Sequence, residues 1–261
     1  MAGEVIEGGA SAPSSPLKPY ALETCGISKS FGEVHANRNI DLQISTGSIH
    51  GIIGENGAGK STLMNILYGL YQADRGEILI NGEVAKITNS AAAIKHGIGM
   101  VHQHFMLVDP FTVLENVMLG AEEDFALTKS VASTSALISR MDKDYGLTVD
   151  PDTKIADLPV GLQQRVEIIK AMRGGQRILI LDEPTGVLTP QETEGLFAIL
   201  RALRDEGATI MLITHKLQEI MALTDQVSVM RQGEMVAHRA TAVTSREELA
   251  ELMVGRKVLL Q

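Results

Sequence analysis

The spacing of apolar residues changes several times along the chain, and each change marks an element. "YALETCGIS" and "IDLQIS" read as strands, and "GEILINGEVAKI" reads as a hairpin whose Asn81-Gly82 pair suits a tight turn with positive φ. "GSIHGIIGENGAGKSTLMNILYGL" passes from a buried strand through a glycine-rich turn into a helix. Leu63, Ile66, Leu67 and Leu70 form the predicted apolar stripe of that helix. "NSAAAIKHG" predicts a short helix ending at Gly97, and "IGMVHQ" a strand after it. A helical middle follows. Thr112 and Glu115 make a capping-box pattern. Val131, Ile138, Met141 and Tyr145 recur near helical spacing up to a stop at Gly146, and "LQQRVEIIKAMRGG" is closed by Gly174 and Gly175. Strands "RILIL", "TIMLI" and "QVSVM" then alternate with helices starting near "TPQE", where Thr189 and Glu192 form a second capping box, and at "HKLQEI". This alternation predicts an α/β domain with a largely parallel sheet, interrupted by a helical segment over about residues 104–175.

Composition narrows the class. A chain of 261 residues with 44% hydrophobic content is enough for one large domain or a core plus a smaller lobe. The net charge of −9 disfavours intrinsic binding to nucleic acid or an anionic membrane, both of which need basic surface. A single cysteine, Cys25, excludes an intramolecular disulfide and fits a reducing compartment. No apolar run approaches the roughly 20 residues that span a bilayer, so any membrane role goes through a partner. Residues 1–19 are small, polar and rich in Pro and Gly, lack the pattern of a secretory signal, and are expected to form a flexible tail.

Two stretches carry chemistry. "GENGAGKST", residues 54–62, fits the G-x-x-x-x-G-K-[ST] phosphate loop. Small residues at Gly54, Gly57, Ala58 and Gly59, with Asn56 between them, let backbone N–H groups curl around phosphate oxygens, and the following helix points its positive end at them. Lys60 supplies a charge for the β- and γ-phosphates, Ser61 a hydroxyl for Mg²⁺, and Thr62 a hydroxyl for a phosphate oxygen. A glycine-rich turn alone would be an ordinary loop; here the required strand and helix flank it. In "RILILDEPT" an apolar strand ends in Asp182 and Glu183, placing Asp182 to hold the Mg²⁺ shell and Glu183 to polarise an attacking water. His102 and His104 would share a face if they lay on a strand and could then ligate a metal, although no third or fourth ligand lies nearby.

With these motifs and "LPVGLQQRV" between them, residues 20 to 257 resemble the ATP-binding-cassette (ABC) ATPases. The resemblance implies a phosphate-loop NTPase core with a mostly parallel sheet, an antiparallel β subdomain and an inserted α-helical lobe. It divides residues 20–261 into a core of about 20–103 and 176–257 and a lobe of about 104–175. It assigns Gln103 to Mg²⁺ and water, His215 to the γ-phosphate, and Phe31 to the adenine face. Val160 and Gly161 belong to the signature that a cassette offers in trans to its partner's nucleotide. The implied cofactors are ATP and Mg²⁺. The implied partners are a second cassette, transmembrane permease subunits and, indirectly, an external substrate-binding protein. The implied place is the cytoplasmic face of the inner membrane, and no nucleic acid is expected.

"GIGMVHQHFMLV", "DEPTGVLTPQE", "ITHKLQEI" and "ELMVGRKV" are most similar to bacterial importers of nucleosides and simple sugars, the nucleoside branch above all. Such proteins carry two cassettes in tandem, so this chain, with one phosphate loop, is expected to be the N-terminal cassette of a longer protein. Pro159 departs from the signature, where a serine is expected, and removes a hydroxyl and an N–H. That leaves open a regulatory cassette with an impaired composite site. A non-transport ABC ATPase acting on ribosomes or DNA is disfavoured by the acidic balance and the short helical lobe.

Overall fold

The computed structural model describes residues 20–119 and 127–255. The tail expected over residues 1–19 lies outside them, as does the chain beyond residue 255. In chain order the strands are β1 (Tyr20–Phe31), β2 (Val34–Ser45), β3 (Ile49–Ile53), β4 (Arg75–Ile80), β5 (Glu83–Val84), β6 (Ile98–Val101), β7 (Ile178–Asp182), β8 (Thr209–Ile213), β9 (Gln226–Arg231) and β10 (Glu234–Ala240). The helices are α1 (Lys60–Leu67), α2 (Ser90–Lys95), α3 (Val113–Met118), α4 (Leu127–Tyr145), α5 (Val160–Ala171), α6 (Pro190–Asp205), α7 (Leu217–Leu223) and α8 (Arg246–Val254).

Among the described residues the strands form two sheets. One is antiparallel, in the order β2-β1-β4-β5, and the other has the order β10-β9-β3-β8-β7-β6. The second sheet is parallel except for β10, which pairs antiparallel with β9. The apolar runs of its central strands are continuous because both faces are covered. In β7, Leu179 and Leu181 pack among the helices α3 to α8, while Ile178 and Ile180 pack toward α1, α2 and the antiparallel sheet. Since β3, β6, β7 and β8 run the same way, their C-terminal ends share one edge. The chain leaves that edge at Gly54, His102, Glu183 and Thr214, which is what brings distant motifs together.

Both capping boxes form: Thr112 and Thr189 each accept from the amide three residues on, and Glu115 and Glu192 reach back. Asn81 and Gly82 hold φ of 51° and 82°, as the hairpin requires. Some expectations fail. The helix after the phosphate loop ends at Leu67, so Leu70 lies beyond it and is 50% exposed. On α4 the buried apolar side chains among the described residues are Leu137, Ile138 and Met141, whereas Val131 is exposed. β6 stops at Val101, so His102 and His104 are not on a strand; His102 packs edge-on against Tyr68 instead. No cluster of three or more metal-ligating side chains occurs among the described residues. No described helix is long and apolar enough to cross a membrane.

Candidate functional site

Between β3 and α1 the backbone wraps around its own lysine. Lys60 Nζ donates to the Gly54 carbonyl at 2.7 Å and to the Glu55 carbonyl at 3.1 Å. The loop is supported from behind: Asn37 Nδ2 donates to the Gly59 carbonyl at 3.1 Å, and the Gly233 amide donates to the Ala58 carbonyl at 3.0 Å. A Cβ at Gly54 would lie 2.4 Å from the Met230 carbonyl oxygen, so this cradle tolerates no side chain there. The N-cap of α1 is Gly59, which offers no side-chain cap, so the helix presents bare amides toward the loop.

Asp182 ends β7 opposite Ile213 of β8, and the Glu183 amide donates to the Ile213 carbonyl at 2.9 Å. Glu183 holds φ at 46°, a left-handed backbone that non-glycine residues seldom adopt. Its Oε1 lies 2.8 Å from His215 Nδ1, while its Oε2 is buried with no hydrogen-bond partner. The turn after Glu183 is tied to the turn carrying His215. Lys216 Nζ donates to the Thr185 hydroxyl at 3.0 Å, Thr185 donates to Glu219, and Thr214 donates to the same carboxylate. Burial and then the neighbouring Glu183 hold the Asp182 carboxyl above its usual range, with Lys60 opposing them. Burial holds the Lys60 ammonium below its usual range, with Glu183 and then Asp182 opposing it.

A cavity of about 570 Å³ joins these parts. Residues 56–62, Gln103, Asp182, Glu183 and His215, all candidates from the sequence, line it together. Gly54 backs the loop without lining the cavity. Phe31 also lies outside the lining; it is half-exposed at the end of β1, paired across the turn with Val34, which does line it. The Phe31 ring meets Tyr71 edge-on at 5.3 Å and has Lys29 Nζ 5.5 Å from its centroid. Val160 and Gly161 sit elsewhere, at the start of α5, beside a smaller cleft of about 240 Å³ that Pro159 and Gly161 help to line. Residues 34–36, Gln232 and Gly233 line the main cavity and were missed by sequence reading. The only local signal was the turn chemistry of "RQGE". A larger cleft of about 1250 Å³ lies between the two sheets, and none of the predicted site residues lines it.

The donor set fits a polyphosphate with a divalent cation. Backbone amides and Lys60 supply positive charge, and the glycine cradle keeps side chains out of the way. Two carboxylates face a single ammonium, and Glu183 Oε2 lacks a partner, which leaves negative charge to be matched. A hydroxyl, an amide oxygen and a carboxylate from Ser61, Gln103 and Asp182 are the hard donors that Mg²⁺ prefers. The segment after Gln103 is also tied to α5: the Met106 amide donates to Glu167 and Lys170 donates to the Met106 carbonyl, each at 2.8 Å.

A glycine loop around a buried lysine, facing an acidic strand end across a parallel sheet, defines a phosphate-loop nucleotide-binding cassette. The model of the ABC transporter family matches residues 37–186, more than half of the chain, and the chain belongs to that family. It is 47% identical over 237 residues to the nucleoside import ATP-binding protein NupA of Lactococcus lactis subsp. cremoris, covering 91% of this chain and 47% of that protein. It is 49% identical over 239 residues to the guanosine import ATP-binding protein NupO of Bacillus subtilis, covering 92% and 47%. The chain thus spans about half the length of the curated relatives it matches. The crystal structure of the ATP-binding cassette MJ1267 in its ADP conformation superposes with a TM-score of 0.79 at 25% identity, covering 91% of this chain and 99% of that one. The dimeric cassette MJ0796 superposes with a TM-score of 0.70 at 25% identity, covering 84% and 98%.

Proposed function

We propose that this chain is an ATP-binding and hydrolysing cassette that powers a membrane importer, with nucleosides or simple sugars as cargo. The observation that carries the reading is the meeting of Lys60, Asp182, Glu183 and His215 around one glycine-lined cavity. Similarity to the nucleoside and guanosine import proteins supports the cargo class. In phosphoryl transfer the protein has little covalent work to do, so positioning and charge neutralisation dominate. Lys60 and the loop amides hold the β- and γ-phosphates. Glu183 polarises the attacking water, and His215, whose Nδ1 lies 2.8 Å from Glu183 Oε1, reaches the γ-phosphate. Ser61, Gln103 and Asp182 would hold Mg²⁺, which supplies positive charge to phosphate oxygens. Phe31 offers a half-exposed ring face to adenine.

The division into a core over about 20–103 and 176–257 and a lobe over about 104–175 belongs to the same reading. So does a head-to-tail pair with a second cassette, in which Val160 and Gly161 face the partner's nucleotide; the dimeric state of MJ0796 supports pairing. Permease subunits on the cytoplasmic side of the membrane would turn closure and opening into transport, with an external binding protein choosing the cargo. Pro159 makes the pair asymmetric: this chain's own phosphate loop is competent, and the signature that it lends is weaker. The test is Glu183→Gln, measured in the assembled transporter. ATP turnover is expected to fall by roughly a hundredfold or more, with a closed ATP-bound pair accumulating. Unchanged turnover would refute the role of Glu183.

A further inference from the structure

The N-terminus of α5 has no local cap. Pro159 occupies the N-cap position and makes no side-chain hydrogen bond, since its ring carries neither an oxygen nor an N–H. The Gly161 amide, one of the first-turn donors a helix leaves unpaired, is nevertheless satisfied from a distance: it donates to Glu192 Oε1 at 3.1 Å. The other oxygen of that carboxylate accepts from the Thr189 amide at 2.8 Å and from the Thr189 hydroxyl at 2.9 Å. One side chain therefore joins the first turns of α5 and α6, and α6 follows the loop that starts at Glu183, next to Asp182 at the end of β7. The contact is close: a Cβ on Gly161 would lie 2.6 Å from Glu192 Oε1 and 2.9 Å from its Cδ and Cγ. Hydrogen bonds, those from Thr189 first and that from Gly161 as well, hold the Glu192 carboxyl below its usual range, which keeps it ionised.

We propose that Glu192 is a positioning residue of the signature: it caps α5 in place of the side chain that Pro159 lacks, and its charge occupies the Gly161 amide until a partner-bound phosphate displaces it. The second half rests on the reading that Gly161 faces a partner's nucleotide. A phosphate and a carboxylate compete for the same positive helix end, so pairing driven by ATP must move Glu192 off Gly161. Removing the charge while keeping an acceptor oxygen therefore favours pairing, and removing the side chain loosens α5.

Hydrogen exchange at the Gly161 amide of the nucleotide-free chain tests the cap. Glu192→Ala is expected to speed that exchange about fivefold. Adding Pro159→Ser, which restores a local cap, returns it to within about twofold of the wild-type rate. Exchange that ignores Glu192→Ala, or that Pro159→Ser does not rescue, overturns the cap. Sedimentation with MgATP in a Glu183→Gln background tests the competition. Adding Glu192→Gln should lower the concentration needed for pairing by about threefold or more; unchanged pairing overturns it. If that background shows neither pairing nor ATP-dependent protection of Gly161, the facing-partner reading falls together with the competition, and the cap is still judged by the exchange result.

Discussion

Gly59 holds φ at +101°, and a methyl group there would lie 2.3 Å from the Ala36 carbonyl oxygen and 2.8 Å from Asn37 Nδ2. Gly59→Ala therefore faces both an unfavourable backbone and a wall. The strain is about 1–3 kcal/mol, which the loop relieves by moving. Moving it withdraws the amides that cradle phosphate, so ATP affinity should fall by at least about tenfold, measured by titration, while the rest of the fold survives. A variant that binds ATP normally would show that the loop is not held from behind. At this scale the site was largely legible: residues 54–62 and Asp182 with Glu183 are short stretches whose chemistry is local. Residues 34–36, Gln232 and Gly233 were not, because they reach the cavity only through pairing between segments nearly 200 residues apart, such as Arg38 with the Gly233 carbonyl. The contact of Glu192 with Gly161 was hidden because it joins the starts of two separate helices, although the capping-box role of Glu192 was plain.

Elements are held in place at their ends. The last carbonyls of α3, which no helix can satisfy internally, are collected by a side chain from beyond α5: Arg173 Nη1 donates to Val117 at 2.7 Å, Met118 at 3.3 Å and Leu119 at 2.9 Å. Arg173→Ala leaves those carbonyls to water and loosens α3 from α5. A loss of about 1–2 kcal/mol is expected, seen as a lower urea midpoint, and no loss would mean that the three bonds are replaced. Such long-range caps are invisible to local pattern, whereas the boxes at Thr112 and Thr189 are written within four residues. Helix faces were read less well. Leu70 was counted with the stripe of α1, but Gly69, at φ 80°, turns the chain away after Leu67. α8 and β10 were not anticipated: α8 has little amphipathic contrast, and β10 is an edge strand recognisable only by its pairing with β9.

For the molecule as a whole, alternation predicted an α/β fold with a parallel sheet, but not the order in which its strands lie, since β3 sits between β8 and β9 through contacts that no window of sequence contains. That order buries His50 near the start of β3. Its Nε2 meets the Ser228 hydroxyl at 2.7 Å, the same hydroxyl meets His238 Nδ1 at 2.8 Å, and its Nδ1 has no partner. Burial, with the His238 charge adding to it, pushes the His50 imidazole down to about 3. The unfolded chain thus takes up a proton below pH 6.5 that the fold refuses until about pH 3. Stability from this group is complete above pH 6.5 and is lost as pH falls, by about 1.4 kcal/mol per pH unit. Urea midpoints at pH 7, 6 and 5 should decline less steeply in His50→Asn than in the wild type, and parallel declines would contradict this. The central claim is that the glycine-lined cavity binds the phosphates of ATP through Lys60. Calorimetric titration with MgATP tests it most directly: the account predicts one ATP per wild-type chain and, for a folded Lys60→Ala chain, an affinity roughly ten- to a hundredfold weaker. Equal affinity in the two chains would contradict it.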